Sequence, residues 1–204
     1  MAHLILPEED LESIIRVRRE RGSDRFDEVW NGVYVMSPLA VNQHQRLATF
    51  LARVFHGSLE GRQAFDSIAG VNVSDQSDEW TKNYRCPDVA VFLPGNPAED
   101  RDSHWFGGPD FAVEIISKGD RSRLKFNFYA KVGVDELLLV DRDPWRLELY
   151  RNQTGKMNPA GSIAFGDSNC LQSEILPVSF RLLDSNEGPK IEVTQTDDGR
   201  VWLS

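Results

Sequence analysis

Apolar residues run almost unbroken through residues 89–93 and 111–116, and again through 137–140. Strands covered on both faces have this pattern, whereas strands with one wet face alternate. Residues 147–150, Leu-Glu-Leu-Tyr, do alternate and predict a further strand. Residues 68–73 predict another, ended by the polar stretch 74–78. Elsewhere the period lengthens. Between residues 42 and 59, Leu47, Phe50, Leu51, Val54 and Phe55 recur three and four apart, which predicts an amphipathic helix. Leu124, Phe128 and Val132 make a second such stripe over residues 121–132, with Gly133 as its C-terminal cap. Residues 7–21 predict a third helix, acidic at its start and basic at its end, as the helix dipole favours.

Turn residues punctuate these elements. Residues 28–36 predict two short strands around Asn31-Gly32, a strong hairpin signal, ended by Ser37-Pro38. Gly119-Asp120 supplies a turn and an N-cap before the second stripe. Residues 94–110, rich in Pro, Gly, Asp and Asn, predict a loop, and Pro109-Asp110 belongs to it. Residues 152–204 predict short strands and turns, with a terminal hairpin over 190–203. The fold class is α+β: a mixed central β-sheet flanked by helices, with an N-terminal hairpin and extra C-terminal strands. No repeat or linker divides the 204 residues, so one domain spanning 1–204 is expected.

Composition narrows the classes of function. No apolar run approaches the roughly 20 residues a membrane-spanning helix needs. The first ten residues show no basic region followed by a long apolar one, so no signal peptide is expected. Cys86 and Cys170 lie far apart, which argues against zinc and suggests a reducing compartment, the cytoplasm. A net charge of -9 counts against a general nucleic-acid coat protein, though it leaves room for a local site. Basic residues cluster at Arg16, Arg18, Arg19, Arg21 and Arg25, and again at Lys118, Arg121, Arg123, Lys125 and Lys131. Solvated helix faces are the plain reading of both clusters.

Candidate chemistry begins with two acids. Asp88 follows Pro87 and leads into an apolar strand; Glu114 lies inside one. Burying a charge there costs several kcal/mol, on the order of the known penalties, unless a partner or metal compensates it. A turn cap is the plain alternative for Asp88, and an edge strand with one exposed side or a structural ion pair with an arginine for Glu114. Magnesium takes one or two carboxylates plus waters, and neighbouring strands would supply Asp88 and Glu114. Such a site also wants a lysine beside the developing phosphate charge. The strand beyond Glu114 runs on for about 10 Å. A helix returning over the sheet brings Lys125 back by about 6–8 Å, near the level of Glu114. A surface lysine is the alternative for Lys125. Tyr129, one turn on, would orient it or a phosphate, or would simply be core.

The pattern resembles the Uma family of bacterial restriction-endonuclease-like proteins, within the PD-(D/E)XK nuclease superfamily. The resemblance covers about residues 27–177 and is carried by several segments together. They are Glu28 with Asn31-Gly32 and Met36-Ser37-Pro38, His44-Gln45, Pro87-Asp88-Val89, Glu114-Ile115-Ile116-Ser117, Asp120-Arg121, Lys125, Tyr129, Gly133-Val134 and Val140-Asp141. It implies a restriction-endonuclease-like core over about 27–150 and a C-terminal β extension over about 151–204. It also implies that Asp88, Glu114 and the peptide carbonyl of Ile115 bind metal. In such nucleases the lysine sits two residues after the second acid, but here that position is Ile116. Lys125 is then the migrated lysine, with Lys118 as its fallback. Glu28 matches an early glutamate near the metal, against a surface charge at the hairpin end. His44 matches a helix-opening histidine that touches phosphate or gives a proton, against a capping or packing role. The tryptophans are scattered and expected to be structural.

The expectation is therefore a nuclease, a hydrolase that cuts DNA phosphodiesters with Mg²⁺ or Mn²⁺, as a homodimer if its substrate is duplex. The alternatives are an inactive binding or regulatory module on the same scaffold, and a small-nucleotide phosphodiesterase.

Overall fold

The computed structural model describes residues 8–37, 41–61, 65–116, 121–186 and 188–204. Helix α1 (Glu8–Glu20) leads into the hairpin of β1 (Glu28–Trp30) and β2 (Val33–Val35). Asn31 and Gly32 turn it with φ of 50° and 85°, the positive values its two-residue turn requires. Helix α2 (Asn42–Ser58) precedes β3 (Asp66–Ala69), β4 (Val73–Ser74), β5 (Tyr84–Arg85) and β6 (Val89–Phe92). Two-residue strands β7 (Glu99–Asp100) and β8 (Trp105–Phe106) lie within the segment expected to be loop. Then β9 (Phe111–Ile115) is followed by a 3₁₀ turn, Ser122–Lys125, helix α3 (Phe126–Val132) and β10 (Glu136–Arg142). Strands β11 (Trp145–Gln153), β12 (Lys156–Ala164), β13 (Leu171–Gln172), β14 (Val178–Leu183), β15 (Lys190–Gln195) and β16 (Val201–Leu203) follow.

The central sheet has the order β12-β11-β10-β9-β6-β3. Only β9 and β10 run parallel; the other neighbours are antiparallel, so the sheet is mixed. A parallel pair needs a crossover, and α3 lies in it. A second sheet has the order β2-β1-β5-β4-β8-β7, and a third, antiparallel one β13-β14-β15-β16. The last pair is the expected terminal hairpin.

Both faces of the central sheet are covered, which accounts for its unbroken apolar runs. On one face Phe111, Val113 and Ile115 join Leu51, Val54 and Phe55 of α2 and Phe180 and Val193 of the third sheet. On the other, Ala112 joins Phe128 and Tyr129 of α3 and Val73 of the second sheet. Strand alternation gives Glu114 the face of Ala112.

Two expectations need correction. The strand foreseen over 68–73 is two strands broken at Gly70, where φ is 67° and a Cβ would fall 2.6 Å from Phe26 Cε1. The helix foreseen over 121–132 opens with the 3₁₀ turn. Three residues per turn, instead of 3.6, rotate that segment out of phase with α3. Leu124, expected on the buried stripe, is 69% exposed, and Lys125 is the buried residue instead at 8%. Gly133 ends α3 in the left-handed conformation as foreseen. Among the described residues no helix is long and apolar enough to cross a membrane.

Candidate active site

Glu114, near the end of β9, is 3% exposed. The Lys125 ammonium donates to its Oε1 at 2.8 Å and lies 2.8 Å from Glu28 Oε1. The Tyr129 hydroxyl donates to the same Glu114 oxygen, and Ser122 Oγ donates to Oε2 at 3.1 Å. Glu28 opens β1 in the second sheet, so the cluster bridges that sheet, the central sheet and the segment before α3. The Cys86 N–H donates to Glu28 Oε1 at 2.8 Å and the Trp30 indole to Oε2 at 2.6 Å. Arg85 braces this side. Its guanidinium lies 4.8 Å from the Trp30 ring centre and 4.3 Å from that of Phe128, and it donates to Val29 O at 2.8 Å.

Asp88 immediately precedes β6. Its N–H donates to Val113 O at 2.9 Å, and the Ile115 N–H donates to its Oδ2 at 2.6 Å. The peptide groups on either side of Glu114 are thus both bonded to Asp88. His44, in the first turn of α2, sets Nε2 3.2 Å from the same Oδ2. These two side chains stand nearer the surface, at 12% and 15% exposed for His44 and Asp88. His44 Nδ1 is buried with no partner among the described residues.

Charge is unevenly distributed here. Burial pushes the Glu114 carboxyl up to about 7; Lys125 opposes this, while Asp88 and Glu28 add to it. Burial disfavours the Lys125 ammonium, yet Glu114 and Glu28 outweigh it and hold the amine protonated far beyond its usual range. Burial, then the charges of Glu114 and Glu28, keep the Tyr129 hydroxyl protonated, so it remains a donor. One ammonium faces two carboxylates, with a third beside them.

The structure therefore gathers Glu28, Glu114, Lys125 and Tyr129 into one cluster and joins Asp88 and His44 to it through the peptide of Ile115. Glu28 is 3% exposed, which overturns the surface-charge alternative at the hairpin end, and burial of Lys125 overturns the surface-lysine one. Lys118 and the turn at Gly119-Asp120 lie outside the described residues. Ser122, Arg85 and the indole of Trp30 were not foreseen. Only Trp30 left a sequence signal: it stands two positions from Glu28 on one strand, hence on the same face.

The donor set suits a hard divalent cation in its chemistry. The available ligands are carboxylate oxygens, negative charge exceeds positive, and Asp88 Oδ1 accepts no hydrogen bond among the described residues. Among those residues no group of three or more His, Cys, Asp or Glu side chains is placed to hold an ion. Waters and main-chain oxygen would have to complete its coordination.

Known proteins agree with this architecture. A crystal structure of a "putative nuclease belonging to DUF820" from Anabaena variabilis superposes with a TM-score of 0.56 at 15% identity, over 72% of this chain and 80% of that one. That likeness is one of fold: an α+β sheet of restriction-endonuclease type. No curated protein matches the chain. The family described as "Uma2: Putative restriction endonuclease" matches residues 9–185, from α1 through β14 and so across every residue of the cluster. On that span, the chain belongs to the Uma2 family.

Proposed function

We propose that this protein is a nuclease hydrolysing DNA phosphodiesters with Mg²⁺ or Mn²⁺ held by Asp88, Glu114 and the carbonyl of Ile115. The observation that carries the reading is the 2.8 Å contact of Lys125 with Glu114, made from the segment after β9 although Ile116 occupies the usual lysine position. When bound, the cation would polarise the phosphodiester and lower the pKa of a water. The remaining roles fall to the chain itself. Lys125 keeps a fixed positive charge for the developing phosphate charge, and Glu28 holds it in line. Tyr129, protonated, donates to Glu114 and fixes its carboxylate. Asp88 holds the His44 ring through Nε2, and we assign that ring to the phosphate or to the proton of the leaving oxygen. The hydrocarbon core shared by the central and third sheets supports one domain over 1–204. The free thiols Cys86 and Cys170 fit a reducing cytoplasm.

Purified protein with Mg²⁺ or Mn²⁺ should cut plasmid or single-stranded DNA. Glu114→Gln should abolish cutting while far-UV circular dichroism stays unchanged. Cleavage that survives Glu114→Gln, or never appears with either ion, overturns the reading. One observation favours a second reading, an inactive binding module: both Glu114 oxygens already have protein donors. Calorimetric titration with Mn²⁺ separates the two. The nuclease binds the ion and Asp88→Asn loses it, whereas the module takes up none.

A further inference from the structure

Helix α2 contains Arg46, Arg53 and no Asp or Glu, in a chain with 32 acidic residues against 23 Lys and Arg. Its inner side is spent on the core through Leu47, Leu51, Val54 and Phe55. Arg46, Thr49 and Arg53, three and four apart, form an exposed row on its outer side. Two depressions of 390 and 350 Å³ lie along that row and share Arg46 and Phe50. Arg53 borders the first; Trp145 and Lys190 border the second. Among the described residues no acidic side chain lines either. Among the described residues neither Arg46 nor Arg53 pairs with a carboxylate. By contrast Arg123, Lys125 and Lys131, from the basic segment before and within α3, are occupied by Glu148, by Glu114 with Glu28, and by Asp75. The second depression reaches the first turn of α2, one residue before His44. Gln43 borders it there, accepts a bond from Arg142 at 3.2 Å, and adjoins His44 beside Asp88.

We propose that this groove binds one strand of nucleic acid and delivers it to Asp88. Arg46 and Arg53 stand about 10 Å apart along the helix axis, which suits separate phosphates of one strand. Trp145 packs against the core yet is only half-buried, and its open part offers a surface on which an unpaired base stacks; paired bases already have both faces stacked and gain nothing from it. One strand needs one site, so a pair of copies is not required. The inference rests on nucleic acid being the substrate and adds its strandedness and the face that receives it.

Fluorescence anisotropy with a short labelled oligonucleotide, in EDTA so that nothing is cut, tests this with the full chain. The single strand should bind more tightly than the duplex of the same sequence. Arg46→Glu with Arg53→Glu should weaken binding at least thirtyfold. Replacing both arginines by Ala should lower the slope of log affinity against log salt by about 1.4, two phosphates at about 0.7 each. Trp145→Ala should weaken binding about tenfold by loss of stacking. Thermal melting and Mn²⁺ titration of the arginine variants should match wild type, which separates lost docking from lost folding. A preference for duplex, no binding of the single strand, or unaltered binding by the double arginine variant overturns the proposal. Failure of the nuclease reading gives a different result: the strand binds through Arg46 and Arg53, yet no divalent ion brings about its cleavage.

Discussion

On one face of β9, Phe111, Val113 and Ile115 meet hydrocarbon from α2 and the third sheet; one position along, Glu114 on the other face meets an ammonium, a phenol and a serine hydroxyl. The two faces are equally dry but are stabilised differently. The apolar face gains from area removed from water, and each of its side chains contributes independently to a first approximation. The polar face gains only as a complete set, because removing one partner strands a charge already paid for in desolvation. The hydrocarbon packing thus lies toward α2, and the buried charges stand where the sheet is braced by α3 and the second sheet.

That contrast can be broken experimentally. The largest effect is expected for Phe55→Ala, which removes a ring set edge-on to Phe111 and Phe180. It should cost about 4 kcal/mol in urea unfolding, while the folded fraction keeps its Mn²⁺ heat. Lys125→Met should follow at about 3 kcal/mol, because Glu28 and Glu114 then face each other without a cation. A loss under about 1 kcal/mol would show the carboxylates to be already neutral, and the faces alike.

The pH dependence should be of similar size. Glu114 is easier to keep protonated in the fold than its ordinary value of 4.5 implies, up to about 7. Its contribution is complete below about 4.5 and is lost as pH rises through about 7. Stability should therefore decline across that window in wild type and stay flatter in Glu114→Gln, followed by thermal melts at several pH values. Mn²⁺ affinity should run the opposite way and rise over the same window, since the proton competes with the ion. Ser122→Ala is the mildest test. Losing one hydroxyl bond to Glu114 should cost about 1 kcal/mol and weaken Mn²⁺ binding about tenfold.

The sequence foretold most of what local pattern controls. Asn31-Gly32 announced its turn through its tolerance of positive φ, α2 through Leu47 to Phe55, and β6 and β9 through unbroken apolar runs. Asp88 and Glu114 drew notice because acids beside such runs are costly without partners, and Lys125 because a helix returning over the sheet brings it back to the level of Glu114. The phase of the segment at Leu124 and Lys125 was not legible, since 3₁₀ and α winding use the same residue types and diverge only in space. Strands β7 and β8, two residues each, carry no periodicity to detect. Arg85 gains its role from Trp30 and Phe128, far along the chain in both directions, which no window of sequence contains; Ser122 lies only eight residues from Glu114, but nothing in its residue type marks it as that carboxylate's donor.

Arg85 carries a further consequence. Sandwiched between the rings of Trp30 and Phe128, it couples a strand neighbouring the hairpin to α3 through a flat, charged wedge. Trimming either ring should let the glutamate at the head of β1 drift from its ammonium without any substitution among the clustered acids and lysine. If the protein cuts DNA as proposed, a variant at Phe128, which touches neither acid, or at Trp30, which also donates to that glutamate, would mimic lesions of the acids themselves, and a screen for lost activity would find both.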